Sequence, residues 1–313
     1  MAYLFVFLLN TLLSAECYSD GKTNIQSFDY YSQEDGLPNN QVQCILQDRK
    51  GWIWLGTSQG LSRFDGYRFV NFLNDPEDTA SLSGRLVRVI FETSDGRLFV
   101  GTENGGLNLF DRDREKFIHP YGNSSELNYS DASVNTIAED SGMNLYLGTD
   151  RALLKIDSAG NLRRITPEGD GWLTGDRGLF IRSIMPDVMG NVWIGATEGL
   201  FIYHPEENTV EEIRLPLLNM QSREVFKIIR DEEGLLWIGT YSGGLFTIDP
   251  ASRQMHHVDL NPRYDRTETI RAISMGNLGD FWIGTRGGLY VYSKSKGVTG
   301  FYRHDDRDSR SLA

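Results

Sequence analysis

The chain has 313 residues, 40% of them hydrophobic and 12% aromatic, with 33 glycines, 9 prolines and a net charge of -12. That is enough apolar material for one large core, and the glycine content suits many tight turns. The acidic balance argues against nucleic acid or an anionic membrane surface as a partner, because both need a basic footprint.

Residues 1–13 (MAYLFVFLLNTLL) are almost wholly apolar. The stretch is shorter than the roughly 20 residues of a spanning helix. It reads as the core of a secretory signal peptide over residues 1–17, although no basic residue precedes it. A buried N-terminal strand is the other reading. Cys17 follows Glu16, the wrong residue ahead of a lipidated cysteine. The second cysteine, Cys44, sits in an apolar run, and the pair suggests neither a disulfide nor a metal site. Low cysteine usage fits an exported protein with a proper core.

The rest of the chain repeats. Gly56, Gly101, Gly148, Gly195, Gly239 and Gly284 recur every 44 to 47 residues. Two positions before each stands an aromatic: Trp54, Phe99, Tyr146, Trp193, Trp237 and Trp282. A Thr follows each glycine except at Ala196, and then a Leu: Leu61, Leu107, Leu153, Leu200, Leu245 and Leu289. Three residues beyond each Leu comes Phe64, Phe110, Ile156, Tyr203, Ile248 or Tyr292. Upstream, each unit has an apolar pair three apart (Val42/Ile45, Val87/Ile90, Val134/Ile137, Ile181/Ile184, Val225/Ile228, Ile270/Ile273), and downstream it has an alternating run.

Each unit of about 45 residues thus holds four short strands and no helical period, the pattern of a propeller blade. The expected fold is all-β: a β-propeller of four-stranded blades over residues 25–313, with blades near 42–72, 87–118, 134–165, 181–213, 225–258 and 270–302. We label the strands of a blade a to d from the axis outwards. The aromatic of strand b fills the gap between blades, and the glycine after it permits close backbone approach. The Leu-x-x-aromatic spacing of strand c breaks the period of two and calls for a bulge or twist there.

The ends bear on blade number. Residues 25–31 (IQSFDYY) look like a strand d with no a, b or c ahead of them, yet the sixth unit already has its own strand d. The run after it, Asp305 to Leu312, resembles Asn74 to Leu82, the lead-in to the second unit. The expectation is a seven-bladed ring in which residues 25–31 close the last blade and strands a to c of that blade are absent from this chain. Six blades with an extra outer strand is the alternative.

The unit Val225-x-x-Ile228-x-x-Asp231-x-x-Gly234-x-x-Trp237-Ile238-Gly239-Thr240, followed by Gly244-Leu245-x-x-Ile248-Asp249, resembles the two-component-regulator propeller repeat. So does Asp35-Gly36-Leu37-Pro38-Asn39-Asn40-Gln41-Val42 with Gly51-Trp52-Ile53-Trp54-Leu55-Gly56-Thr57. The resemblance covers residues 27–313. It implies the periplasmic sensor region of a hybrid histidine kinase/response regulator of the Bacteroidetes type. By the same resemblance, the full-length chain would be a homodimer anchored in the inner membrane, would add a second propeller and an immunoglobulin-like domain, and would respond to oligosaccharides. This stretch has no kinase domain and so, on that reading, no catalysis of its own. Tyr146, Ala196, Arg151-Ala152 in place of a glycine, and Gly276 in place of Asp depart from the pattern.

No catalytic constellation, cofactor or metal site is expected. The five histidines (His119, His204, His256, His257, His304) lie near strand ends or in outer strands, and adjacent His256 and His257 point to opposite faces. Acidic turns such as Asp231-Glu232-Glu233 lack the ligand spacing of a calcium loop. Binding is expected at the b–c turns and the long loop 166–180, where residues vary while the frame does not. The candidates are Gln59, Glu103, Asn104, Asp150, Arg151, Trp172, Glu198, Tyr241, Ser242 and Arg286. Their mixture of polar and aromatic groups suits an oligosaccharide or other small ligand. Two other readings remain open. One is an extracytoplasmic propeller enzyme acting on polysaccharide, with Glu103, Asp150 and Glu198 as its available carboxylates. The other is a protein-interaction scaffold.

Overall fold

The computed structural model describes residues 4–5, 28–122, 133–167, 180–216, 222–260, 269–276, 279–305, 307 and 311–312. The signal-peptide reading of residues 1–17, apart from the backbone of Leu4–Phe5, lies outside them, as do Cys17 and Trp172. Among the described residues there is no α-helix, and no helix is long and apolar enough to cross a membrane.

Six antiparallel sheets of four strands, each a simple meander, occupy residues 42–72, 87–118, 134–164, 181–213, 225–258 and 270–302. Their inner strands are Val42–Gln47, Val87–Glu92, Val134–Glu139, Ile181–Pro186, Val225–Arg230 and Ile270–Met275. Each packs on the next around a common axis, from the first to the sixth. The six sheets are blades in a ring, a β-propeller. The inner strands of blades six and one make no comparable contact.

The repeat motif explains the blade. In blades one to five every residue of strand b is buried. The indole N–H of Trp54, Trp193 and Trp237 donates to Asp48, Asp187 and Asp231, six residues earlier, at 2.8–2.9 Å. The same carboxylate takes backbone N–H groups of the a–b turn, as Asp231 does from Glu233 and Leu235 at 3.0 Å each. The turn glycine between them, Gly234, has φ +88°, a conformation that costs glycine nothing. In blade two the aromatic is Phe99, which has no N–H to give, and Thr93 stands where the Asp would.

The glycine after the aromatic receives the next blade. A Cβ on Gly56, Gly195 or Gly239 would lie 2.6 Å from Val87, Val225 or Ile270, the first inner-strand residue of the following blade. Gly284, in blade six, would meet only Ala272 of its own blade, at 3.4 Å.

The bulge lies in strand a and not, as the spacing suggested, in strand c. Pairing slips by one residue between Val42 and Cys44, and at the equivalent point of all six inner strands. That slip produces the apolar spacing of three. Strand c of blade one pairs regularly on both sides. Its Leu61 and Phe64 face opposite ways, and both are buried because a blade is covered on both faces.

The two ends of the described chain meet near the join of blades six and one. Tyr30–Tyr31 pairs with Leu4–Phe5 and with no blade strand. The Tyr31 ring packs on Phe64 and Phe69 of blade one, at 5.2 and 5.7 Å. Phe28 meets Tyr302 of blade six edge-on at 5.4 Å.

Candidate functional site at the channel mouth

The start of strand a pairs with the end of strand b, as Val225 does with Thr240. The entry to each blade and its b–c turn therefore share one face. The first residue of the turn anchors to the residue before strand a. Glu103 N–H donates to Leu86 O, Thr197 to Phe180 O, Tyr241 to Glu224 O and Arg286 to Thr269 O, at 2.9–3.2 Å. The threonine after the glycine pins the turn from inside. Thr240 Oγ1 donates to Gly244 O at 2.9 Å and accepts from Gly243 N–H at 2.9 Å. Thr57, Thr149 and Thr285 make the same donation, at 2.9–3.0 Å. The turn backbone is thus held while its side chains are free to differ.

The bulge supplies a second variable position on this face. Its extra residue is Gln43, Arg88, Asn135, Arg182, Phe226 or Arg271 in blades one to six. Four of these join an arc of alternating cations and rings. Arg88 of blade two reaches to 6.0 Å from the ring of Phe180 at the entry to blade four, a contact that passes over blade three and so spans the channel mouth. Arg182 lies between Phe180, at 4.7 Å, and Phe226 of blade five, at 4.5 Å. Arg271 of blade six sits 4.5 Å from Phe226 and 6.0 Å from Tyr241. Phe226 and Tyr241 pack at 5.9 Å. Contacts of this kind contribute about 0.5–2 kcal/mol each and hold the guanidinium planes in place.

Charge is unevenly matched along the arc. Arg88 pairs with Glu103, and Arg182 with Glu224. Arg271 is exposed and has no carboxylate partner among the described residues. On the inner strands, Lys227 of blade five and Cys44 of blade one each follow the bulge residue of their blade. Burial pushes the thiol up to about 12 and the ammonium down from its usual value. Both polar atoms of the Asn135 amide are shut off from solvent without a hydrogen-bond partner among the described residues, at a cost of about 1–3 kcal/mol for each group. A separate groove of about 320 Å³ follows the outer edge of blade four, lined by Gly199, Leu200, Glu212 and Arg223 among others, and holds none of the arc.

The structure brings Glu103 and Tyr241 into the arc. Asn104 and Asp150 meet instead at Ser133, between blades two and three: Asn104 N–H donates to Ser133 Oγ at 3.2 Å, and Ser133 N–H donates to Asp150 at 3.4 Å. Ser242 Oγ donates to Ser222 O at 3.2 Å and so braces its own turn. Gln59, Arg151, Glu198 and Arg286 are exposed on the same face, outside the arc. Sequence reasoning missed Arg88, Phe180, Arg182, Phe226 and Arg271. Four of them were marked by one signal, the variable residue directly after the first of the two apolar positions of strand a.

The family model for the two-component regulator propeller matches residues 36–59, 81–104 and 219–242. Those three stretches, in blades one, two and five, are similar to two-component regulator propeller repeats. The extracellular domain of BT4673 from B. thetaiotaomicron, assigned to a hybrid two-component system, superposes with a TM-score of 0.75 at 25% identity. The match covers 92% of this chain and 36% of that one. Histidine kinase P4 from Formosa agariphila is 43% identical over 56 residues, which are 18% of this chain and 4% of the kinase. Virginiamycin B lyase from Staphylococcus aureus, at 14% identity and a TM-score of 0.64 over 85% of each chain, shares the fold alone. This propeller is therefore related to the extracellular domain of a hybrid two-component system, and it spans about a third of that solved relative.

Proposed function

We propose that this chain is the ligand-reading propeller of a longer hybrid two-component regulator, facing the periplasm, with an oligosaccharide as its signal. The carrying observation is the arc at the channel mouth. It is built from the positions that vary between repeats, on a frame that does not. Tyr241 and Phe226 offer faces on which a sugar ring stacks, and the guanidinium groups offer donors for its oxygens. A ligand seated there touches blades two, four, five and six together and ties them. That change passes to a second propeller, an immunoglobulin-like domain and a dimer partner outside this chain, and from there across the inner membrane. The chain reads its ligand without converting it. The two carboxylates of the arc, Glu103 and Glu224, are held in ion pairs with Arg88 and Arg182, a poor arrangement for a general acid.

The test is thermal unfolding of the purified chain against a panel of neutral and acidic oligosaccharides, followed by recovery of the sugars. At least one should raise the midpoint, as any ligand selective for the folded state does, and should be recovered intact. No shift with any oligosaccharide, or release of cleaved product, would overturn the proposal.

A further inference from the structure

The chain carries a net charge of -12, yet its channel mouth has a surplus of positive charge. Two of the three arc arginines are neutralised, by Glu103 and Glu224. Arg271 is not: it pairs with no carboxylate among the described residues. It stands on the wall formed by blades five and six, beside Phe226 and Tyr241. Arg271 is held over two rings, so its planar fork is oriented before any ligand arrives. A guanidinium fork matches the paired oxygens of a carboxylate or a sulfate better than a single hydroxyl. A neutral sugar laid on this wall would cover a cation and leave it unanswered, which is costly.

We infer that the channel mouth takes an oligosaccharide bearing an anionic group, a carboxylate or a sulfate ester, which Arg271 grips while Tyr241 and Phe226 carry the sugar ring. The inference rests on the mouth being the ligand site, as proposed above.

Calorimetric titration of the 313-residue chain with three probes tests this: an oligogalacturonide, a sulfated galactan oligosaccharide and a neutral cello-oligosaccharide of similar length. At least one acidic probe should bind more tightly than the neutral one and lose affinity at high salt. Which acidic probe does so separates carboxylate from sulfate. Arg271→Ala should weaken acidic binding by about tenfold or more, the loss expected for a charge-assisted hydrogen bond. Arg271→Lys, which keeps the charge without the fork, should recover only part. Tyr241→Ala should weaken acidic and neutral probes alike. Arg271 is exposed and in no ion pair among the described residues, and gives up only its ring contacts, so both Arg271 variants should unfold cooperatively within a few degrees of the parent, which separates lost binding from lost folding. If the neutral probe binds as tightly as both acidic ones, or if Arg271→Ala keeps full affinity, the anionic class is wrong while the oligosaccharide reading stands. Binding of none of the three overturns the inference, and a panel that also shifts nothing overturns the reading beneath it.

Discussion

Asp231 shows how much of a blade hangs on one carboxylate. It takes the Trp237 indole N–H at 2.8 Å, two backbone N–H groups and the Lys294 ammonium of the next blade at 2.8 Å. Burial alone would raise its pKa, but the hydrogen bonds from Lys294 and Trp237, with those of the turn, outweigh it and hold the carboxyl below its usual value. Asp48 is held down in the same way, by Arg112 and Trp54 acting against burial. A folded pKa below the unfolded value of about 3.9 means stability that is present above that pH and lost as pH falls through the folded pKa. Asp231→Asn should therefore cost about 2 kcal/mol in urea unfolding at pH 7. Part of the gap to the parent chain should close below about pH 4, where the parent loses its own carboxylate contribution. An equal gap at both pH values would show that charge plays no part in the interaction. The spacing itself was legible: Asp and Trp recur six apart in the sequence. Its reason was not, because only geometry shows the indole reaching back to the turn.

At the scale of the element, the glycine of strand b is a socket. The β-branched head of the next inner strand sits where a Cβ would be, 2.6 Å away at Gly239. Gly239→Ala must push Ile270 aside, and overpacking of this kind costs about 1–3 kcal/mol. Gly284→Ala has only Ala272 nearby, at 3.4 Å, and should change stability by less than about 0.5 kcal/mol in this chain. Chemical unfolding of the two variants side by side checks the contrast, and equal losses would mean that the sockets do not work between blades. The six blades were readable because sockets and aromatics repeat at one period. The bulge was misplaced because strands a and c both show an apolar spacing of three, from different causes. In strand a one residue is squeezed out of register, whereas in strand c both faces are buried, so opposite-facing residues are equally apolar. With the bulge put in strand c, its ejected residues in strand a passed for filler. Arg88, Arg182 and Arg271 went unnoticed, while Glu103 and Tyr241, which vary at a recognised turn, were found.

For the whole molecule, the join between blades six and one differs from the other five on both of its faces. Ile45 of blade one is 47% exposed, whereas its counterparts Ile90, Ile137, Ile184, Ile228 and Ile273, each with a blade before it, are at most 7% exposed. Trp282 of blade six is half-buried, whereas Trp54, Trp193 and Trp237, each with a blade after it, are buried. The loop after blade six also repeats the loop that leads into blade two. Asp305 N–H donates to Ser311 Oγ, which donates back to Asp305 O, at 2.8 and 3.0 Å. Asp75 and Ser81 do the same at 3.0 and 2.8 Å. Phe28 and Tyr31 stand at the outer rim of this join, where the strand d of a further blade would run. A chain continued through one more repeat, about 45 residues, should place a β-branched residue in the socket of Gly284 and cover Trp282 and Ile45. Its thermal midpoint should exceed that of the present chain. In the longer chain Gly284→Ala should become as damaging as Gly239→Ala, because the socket would then be filled. If the midpoints are equal and Gly284→Ala stays harmless in both lengths, the ring has six blades, and residues 28–31 are an outer strand rather than part of a seventh.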